Sequence, residues 1–594
     1  MSPPASASSV PDFTPAATPP DVIEPGQVIW RRLATAVLIF AAILFFVRIG
    51  ARALWASEFR WAEIAREMLA TGNYFWPTID NRPYFDKPLG TYWLVVGAAR
   101  ALGTMDEAAA RIPCAIAGLL GVAVLMSIAR RLYDWKVAAW SGFILATSYS
   151  FVFFSRHASA DVETVTGELI ALALFLHNEK RRGGMWVVAL WIVMALTSQT
   201  KGLLGFVLPI LIIGAYSCFA QGWDDLRDHF LRGGVSARIR WFIERNRWFF
   251  NWTTAPAMAL AAIIYVAPFV ISQRLMHSDR GLYLVYRENV VRYFEPFDHK
   301  GPIYLYLFVI FLLMAPWSIL LPGALAQIHG GDGKDDRSTR ADRFAKVFFW
   351  SIFVFFTLSG SRRSYYLLPI LPAAALIVAR LITSPKELLT PLAWWLTKIG
   401  YIGLAIGTIL SVLALLPPAW ILPHPLDLMP TLPYPLVYTA LWSVAIIGVV
   451  YALRELRPDR IAASVGMIAY LAMAYIYMFA MPAAEAYRGE KPFARVVMAK
   501  VGPDLSKLVF FRNLETFFYL EPYRPLPLFS FPMGVQRAIE HGDAEWVIVR
   551  RRDLSDLNLP GTIVAEEANF PWQGAKGVRN SVVLIKLGSP PAPK

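Results

Sequence analysis

A short polar stretch between two apolar runs carries residues that could do chemistry at a membrane surface. It runs from Trp55 to Pro88 and holds carboxylates, arginines and a lysine, among them Glu58, Arg60 and Lys87. Ionisable groups beside a bilayer are costly and usually serve a function. Carboxylates next to arginine, lysine and tyrosine could hold a phosphate group and support a reaction on it. The stretch is therefore predicted to form part of a site for a phosphorylated lipid.

The composition predicts a protein that crosses a membrane many times. Of its 594 residues, 56% are hydrophobic and 17% are charged, whereas a soluble domain carries about 25% charged residues. The formal net charge of +14 sits in short loops between apolar runs. This pattern indicates membrane topology and contact with anionic lipids, and we expect no nucleic-acid partner. Cys114 and Cys218 lie inside apolar runs, so no disulfide framework is predicted.

The apolar runs predict about 13 crossings, the last two near residues 435–452 and 461–480. Residues 1–28, rich in Pro, Ser and Ala, are expected to form a disordered cytoplasmic tail. The basic loops then fall on the cytoplasmic side, as the positive-inside rule requires. The segment Leu89–Leu102 would break this order if it crossed. We therefore expect it, and the helix Trp61–Leu69, to lie along the outer interface.

The predicted fold class is mainly α, a polytopic membrane protein with about 13 transmembrane helices and interfacial helices in the first outer loop. A small C-terminal α/β periplasmic domain is added because strand-like runs alternate with helical or turn segments near the end of the chain. The predicted division is a disordered cytoplasmic tail (1–28), a transmembrane catalytic domain (29–483) and a periplasmic soluble domain (484–594).

Four segments of the chain resemble motifs of a known family. They are Ser57–Leu69 with Tyr84–Pro88, Arg156–Asp161, Glu288–Phe294 with the following His299 and Pro302, and Ser359–Pro369. In this order and spacing they resemble the aminoarabinose transferase and protein O-mannosyltransferase group of membrane glycosyltransferases. The resemblance implies a GT-C fold for the transmembrane domain. It also implies that a sugar moves from a polyprenyl-phosphate carrier to an acceptor on the outer face.

The resemblance also implies catalytic roles. The family pattern Asp-Glu-x-Arg becomes Ser57-Glu58-Phe59-Arg60 here. Ser57 therefore stands where the family has the acid that is its usual candidate base. Glu58 or Asp161 could take that role as the catalytic group, or no base is needed if the acceptor is an anionic phosphate. For Asp161 the alternative is a simple helix cap, and for Glu58 and Arg60 it is anchoring of an interfacial helix.

Eight residues are predicted to bind the substrate phosphate, by motif position or by their place at the outer mouth: Arg60, Tyr84, Lys87, Lys201, Arg292, Arg362, Tyr365 and Tyr366. Lysine suits a phosphate as a compact charge on a flexible stem, while adjacent tyrosines are also common interface anchors. The resemblance implies a divalent metal ion held by Asp86 and His299, with an ordinary salt bridge of Asp86 as the alternative. No Gly-rich nucleotide loop is present in the sequence, so no nucleotide cofactor is expected.

The predicted function is transfer of a single sugar from a polyprenyl-phosphate donor to an envelope acceptor (lipid A, glycan or protein) on the periplasmic face of a bacterial inner membrane. Its predicted partners are this donor, the acceptor and membrane lipids. The alternative is a multi-span transporter or flippase, which Glu163 and Glu168 inside a predicted span would favour. A third possibility, a lipid-modifying hydrolase or phosphotransferase, finds no Ser/His/Asp spacing in the sequence to support it.

Overall fold

The computed structural model describes most of the chain between residues 25 and 588. It covers residues 25–414, except 56, 86, 182, 296–299 and 328–336. It also covers the isolated positions 440, 443 and 447, and residues 458–588 except 486–488, 513–516, 521–524, 558–560 and 568–578. The predicted tail 1–28 and the predicted span near 435–452 therefore lie mostly outside the described residues.

Helices make up most of this structure. The α-helices of eight or more residues are Pro25–Phe46, Glu58–Thr71, Gly90–Leu102, Glu107–Leu132, Trp135–Ala146, Asp161–Asn178, Met185–Lys201, Leu204–Phe219, Val235–Arg245, Thr254–Met276, Leu305–Leu313, Arg337–Leu358, Leu371–Thr383, Pro391–Ala414, Pro458–Tyr475, Glu490–Val501 and Pro532–Glu540. Shorter helical segments important for the site are the α-helix Tyr149–Ser155, the π-helix Arg287–Val291 and the 3₁₀-helix Ser364–Ile370.

The chain is a multi-pass membrane protein. Within the described ranges, five helical stretches are long and apolar enough to cross a bilayer: Gly26–Phe46, Glu107–Leu132, Thr254–Met276, Ser364–Thr383 and Asp459–Ala480. The number rises to seven if two bent helix pairs each count as one span. The predicted count of 13 is not confirmed by this criterion. One physical reason is that several predicted spans form short, bent or charged helices, such as Asp161–Asn178 with its three acidic residues.

The two helices that were predicted to lie along the interface are present in the loop 51–111, which we call the first loop. Glu58–Thr71 and Gly90–Leu102 end at Gly72 and Gly103, which adopt the left-handed conformation with φ of 72° and 74°. Glycine reaches this conformation without strain, so it stops each helix cleanly. The helices pack against each other in a hydrophobic cluster separate from the main core. This packing holds the polar stretch in a fixed place.

Three helices pack together beneath the first loop: Glu107–Leu132, Asp161–Asn178 and Met185–Lys201. The first begins where the side chain of Asp106 accepts a hydrogen bond from the Ala109 amide at 2.8 Å, which is ordinary N-terminal capping. The other two meet closely at Gly167, where an added Cβ atom would lie only 2.0 Å from Oγ1 of Thr197. This close approach brings the start of one helix near the end of the other.

The C-terminal region contains a five-stranded mixed sheet. Its strands are β3 (Leu508–Phe511), β4 (Leu528–Phe529), β5 (Trp546–Arg550), β6 (Gly561–Glu566) and β7 (Val582–Leu587), after the two-residue strands β1 (Thr78–Ile79) and β2 (Arg82–Pro83) of the first loop. The order is β4-β3-β5-β7-β6, with β3 parallel to β4 and β5, and β7 antiparallel to β5 and β6. Apolar clusters cover both faces.

The C-terminal region is docked on the first loop by directed hydrogen bonds. The guanidinium of Arg66 donates to the carbonyl oxygens of Phe517, Phe518 and Leu520 at 3.0–3.2 Å. The amide of Leu526 donates to the Asp80 carboxylate at 2.8 Å. Burial, with smaller opposing and reinforcing effects from its neighbours, raises the pKa of Asp80 to about 6. The dock therefore contains a carboxylate that titrates in the mildly acidic range.

Candidate active site

The centre of the candidate site is an ion pair between two helix ends. Asp161 is the first residue of helix Asp161–Asn178, and Lys201 is the last residue of Met185–Lys201. The Lys201 ammonium contacts Oδ1 of Asp161, and both side chains are largely buried. Near this ion pair in the sequence of both helices, the hydroxyls of Thr164 and Thr200 lie 2.9 Å apart and link the same two helices. Asp161 makes no capping bond, since Ala160 occupies the cap position.

Two adjacent tyrosines close the site over Lys201. Its ammonium lies 5.5 Å from the ring centroid of Tyr365 and 5.2 Å from that of Tyr366, within the range of a cation–π contact. The 3₁₀-helix Ser364–Ile370 presents both rings, which meet edge to face at 5.2 Å. The two tyrosines and Lys201, all predicted phosphate ligands, are therefore brought together by two separate chain segments.

Two arginines border this centre. Arg363 donates to the Tyr365 hydroxyl at 2.6 Å, although it is not among the predicted ligands. Arg292 forms an ion pair with Glu288 one helical turn earlier, and its charge also acts on the Tyr366 hydroxyl. The predicted residue Arg292 therefore lies near the centre. Lysine and arginines around two phenolic hydroxyls can bind an oxyanion through charge-assisted hydrogen bonds.

Arg362 has a different environment from its neighbour Arg363. Its guanidinium donates to the Thr357 carbonyl from Nε and Nη2 at 3.3 and 2.9 Å, and to the Gly301 carbonyl from Nη1 at 2.7 Å. These bonds tie the end of helix Arg337–Leu358 to the segment after residue 300. Three of its five N–H donors thus engage carbonyl groups, which gives Arg362 a structural role here, and its binding of phosphate stays a prediction.

The first loop contributes a second basic element. Arg60 donates to the hydroxyl of Tyr84 at 2.6 Å, and its guanidinium lies 5.8 Å from the centroid of that ring. Lys87 follows shortly before the helix Gly90–Leu102. The two residues predicted as metal ligands, Asp86 and His299, lie outside the described residues. No group of three or more His, Cys, Asp or Glu side chains with metal-binding geometry occurs in the part of the chain that the structure describes.

Glu58 is locked in a buried ion-pair network. Arg111 donates to both of its oxygens at 2.7 Å, and Arg52 and the Ala158 amide add bonds of 3.2 and 3.0 Å. The side chain is 0% exposed. Burial alone would raise the pKa of this carboxyl, but the charges of Arg111 and Arg52 hold it well below its usual range.

This environment corrects the interpretation of Glu58 as a catalytic group. A base must be reachable by the substrate and must have an oxygen free to take a proton. Here both oxygens already accept hydrogen bonds, and no part of the side chain reaches the surface. Glu58 is therefore a structural acid that joins the first loop to helix Glu107–Leu132. No local pattern indicates this role, because Arg111 lies 53 residues away along the chain.

His157 is a polar neighbour that motif reading did not single out. Its Nε2 lies 3.4 Å from the hydroxyl oxygen of Ser57, and its Nδ1 lies 3.4 Å from Oε1 of Glu58. The ring stacks on Phe153 with 5.1 Å between the centroids. Burial lowers the pKa of His157, although Glu58 opposes this effect. A sequence separation of 100 residues hides the Ser57 contact from any local pattern.

Two further acids lie inside the helix that Asp161 begins. Glu163 accepts a hydrogen bond from the Thr91 hydroxyl of the first loop, so it serves to join that loop to the helix. Glu168 is 1% exposed, and neither of its oxygens has a hydrogen-bond partner among the described residues. Neither acid contacts the ion pair of Asp161 and Lys201 in the described contacts. Both follow Asp161 along the same helix.

The chain is similar to known proteins over much of its length. The family model described as dolichyl-phosphate-mannose-protein mannosyltransferase matches residues 86–235. An undecaprenyl phosphate-alpha-4-amino-4-deoxy-L-arabinose arabinosyl transferase of Edwardsiella ictaluri is 25% identical over 408 residues, 67% of each chain. One of Pseudomonas fluorescens is 26% identical over 59% of each chain. Several of these relatives are thus matched over less than two thirds of their length.

The fold is also found among solved structures. ArnT from Cupriavidus metallidurans bound to undecaprenyl phosphate aligns with a TM-score of 0.68 at 20% identity, covering 96% of this chain and 100% of that one. The apo form of the same protein aligns with a TM-score of 0.67. The resemblance read from the four segments is thereby confirmed: the chain has the fold of ArnT and is similar to the aminoarabinose transferase and protein mannosyltransferase group of GT-C glycosyltransferases.

Proposed function

We propose that this protein moves a single sugar from a polyprenyl-phosphate carrier to an envelope acceptor, which is lipid A, a glycan or a protein. The observation that carries the proposal is the cluster of Lys201, Tyr365, Tyr366 and Arg363 around Asp161. Relatives named as undecaprenyl-phosphate-dependent transferases support a lipid-linked donor.

The chemistry needs a stabilised leaving group. When the bond between the sugar and the carrier phosphate breaks, negative charge grows on the phosphate oxygens, and cations fixed nearby lower the barrier. Lys201 and Arg363 are such cations, and the tyrosine hydroxyls are hydrogen-bond donors beside them. Asp161 holds the Lys201 ammonium in place through their ion pair. In-line displacement by the acceptor then inverts the sugar centre, as the family resemblance implies.

Arg60 and Lys87 extend this cationic surface from the first loop, and we propose that they contact the same phosphate. The divalent metal at Asp86 and His299 also stays a proposal. If bound there, it would supply further positive charge to the phosphate. The proposed sugar transfer uses the chain's own cations and needs no step through a metal ion.

We further propose that the protein lies in a bacterial inner membrane with its N-terminus in the cytoplasm and its C-terminal region in the periplasm. The basic loops support this orientation through the positive-inside rule. In this arrangement the first loop, the candidate site and the C-terminal sheet share the periplasmic side. Residues 29–483 would form the catalytic domain and residues 484–594 a soluble domain that rests on it.

Mass spectrometry of envelope lipids, glycans and proteins tests the proposal. Cells that express the protein should gain one sugar mass on one component, and Lys201→Ala should abolish this gain. Lys386→Ala is the matched control, since that ammonium lies 4.5 Å from the Trp394 ring, away from the site. An unchanged envelope together with altered uptake of a solute would refute the transferase and favour the transporter alternative.

A further inference from the structure

The candidate site contains few groups that could accept a proton from the acceptor. Asp161 is engaged with the Lys201 ammonium, and the two oxygens of Glu58 are engaged with Arg111. Protonating either carboxylate would leave a buried cation without its charged partner, which is unfavourable in a buried site. An acceptor that carries a proton therefore needs another base.

Ser57, His157 and Glu58 form an ordered line of polar groups. The Ser57 hydroxyl contacts Nε2 of the imidazole at 3.4 Å. Oε1 of Glu58 lies 3.4 Å from Nδ1 as a charge contact, without a hydrogen bond between the two atoms among the described residues. A carboxylate beside Nδ1 favours the imidazole tautomer that carries its proton on Nδ1. In that tautomer Nε2 can accept a proton. Distances of this size are typical of catalytic hydrogen bonds before substrate binds.

The conformation of Ser57 supports a role beyond helix capping. Serine at the N-cap position normally accepts a hydrogen bond from an amide of the first turn. Ser57 occupies that position before helix Glu58–Thr71 but makes no such bond, and its hydroxyl contacts His157 instead. Ser57 is partly exposed, whereas His157 is buried. The serine is thus the member of the line that a substrate can reach.

We propose that Ser57 and His157 form a proton relay that serves as the general base of the transfer, with Glu58 as the residue that positions the imidazole. The inference rests on the proposed function, and it also narrows the acceptor to one that loses a proton on transfer, namely a hydroxyl group. The stack on Phe153, at 5.1 Å, helps to fix the plane of the ring.

During transfer the acceptor oxygen forms a bond to the anomeric carbon of the sugar. The bond from that carbon to the carrier-phosphate oxygen breaks at the same time, and the phosphate oxygen keeps the electron pair. The acceptor proton passes to Oγ of Ser57 as the serine proton passes to Nε2 of His157. The imidazolium is stabilised by the Glu58 carboxylate and later releases its proton to water or to the departing phosphate.

The charged groups facing His157 are the carboxylates of Glu58 and Asp161 and the guanidiniums of Arg52 and Arg111. Burial and the two arginines lower the pKa of the imidazole, while the carboxylates oppose them. A lowered pKa keeps the ring neutral and able to accept a proton near neutral pH. The rate should therefore fall as the pH drops through the pKa of His157.

The test follows transfer in membranes that contain the wild-type protein, using the envelope fraction identified by mass spectrometry, between pH 5 and 9. Ser57→Ala and His157→Gln should each lower the maximal rate about 100-fold. Ser57→Asp combined with His157→Gln should restore most of the rate. It should also move the acidic limb of the pH profile to lower pH, because an aspartate replaces a histidine as the base.

Two controls separate the outcomes. His177→Gln changes another histidine, one whose Nδ1 contacts its own helix at the Ala173 carbonyl, and should leave the rate and the pH profile unchanged. Binding of undecaprenyl phosphate should be unchanged in the Ser57 and His157 variants and weakened by Lys201→Ala. This contrast distinguishes the relay from carrier binding.

An unaltered rate and pH profile in His157→Gln would overturn the relay while leaving the proposed function intact. If wild-type membranes transfer no sugar at all, the proposed function and the relay both fail.

Discussion

The ion pair of Glu58 and Arg111 should be a main stabilising contact of the first loop. The Arg111 side chain is 1% exposed and Glu58 is 0% exposed, and two bonds of 2.7 Å join them. Arg111 also donates to the carbonyl oxygens of Ile49, Arg52 and Ala53. Removing one partner of such a pair leaves an uncompensated buried charge, which costs about 3–5 kcal/mol. Arg111→Met should therefore destabilise the folded protein by about this amount.

The structure also predicts the effect of removing both charges. Arg52 remains near Glu58 in Arg111→Met and compensates part of the lost charge, at a longer distance of 3.2 Å, so we expect the lower end of about 3–5 kcal/mol. In Arg111→Met combined with Glu58→Gln, neither position 58 nor position 111 carries a buried charge. The double variant should therefore be more stable than Arg111→Met alone, since replacing a whole buried pair is often close to neutral.

The measurement is equilibrium unfolding of the purified protein in mixed detergent micelles, followed by tryptophan fluorescence. The destabilisation corresponds to at least a hundredfold change in the ratio of folded to unfolded protein, since about 1.4 kcal/mol is a factor of ten. Lys507→Met is the control, because it breaks an ion pair with Glu545 whose members are 50% and 57% exposed, and it should cause no measurable loss. Equal stability of Arg111→Met and Lys507→Met would refute the reasoning.

Three further predictions concern the dock and the helix packing. The pKa of Asp80 is raised to about 6, so the stability that its carboxyl group adds to the dock is greatest below its unfolded pKa and is lost as the pH rises through 6. Asp80→Asn should remove this pH dependence. Hydrogen exchange of the C-terminal region measures it. Tyr519→Phe should weaken the same dock by about 1 kcal/mol, since its hydroxyl accepts from the Leu54 amide at 2.7 Å. Gly167→Ala should destabilise the helix pair by about 1–3 kcal/mol, whereas Gly214→Ala, with nothing near its added Cβ, should not; thermal unfolding compares the two.

For each of these three variants, one experimental result would contradict the prediction. A pH-dependent dock in Asp80→Asn would show that another group titrates there. Unchanged proteolysis of the C-terminal region in Tyr519→Phe would mean that the hydroxyl contributes nothing to docking. Equal unfolding temperatures for the two alanine variants would contradict the close contact of Gly167 with Thr197.

The sequence predicted the parts of the site that depend on local pattern. Apolar runs indicated membrane helices, motif order identified Tyr365 and Tyr366, and the predicted topology placed Lys201 on the outer side. The structure brings these three residues together. It could not distinguish Arg362 from Arg363, because adjacent residues of one type look alike in a motif. The backbone direction after residue 360 decides that one contacts carbonyl groups and the other a tyrosine hydroxyl.

Contacts between residues far apart in the sequence could not be predicted from local patterns. Glu58 looked like a catalytic acid because it sits in a polar motif, but Arg111 makes it a structural one. Whether a carboxylate is a base or a structural anion depends on its burial and its cations, and neither is encoded in neighbouring residues. The Ser57 and His157 contact was missed for the same reason.

The start of helix Glu107–Leu132 joins the C-terminal region to the candidate site. Glu107 accepts hydrogen bonds from Lys491 at 2.8 Å and from the Tyr519 hydroxyl at 3.3 Å. One turn later, Arg111 holds Glu58, which in turn contacts His157. A shift of the C-terminal sheet would therefore reach the Ser57 relay through the first turns of this one helix. The C-terminal region should accordingly influence the maximal rate of transfer even without touching the substrate.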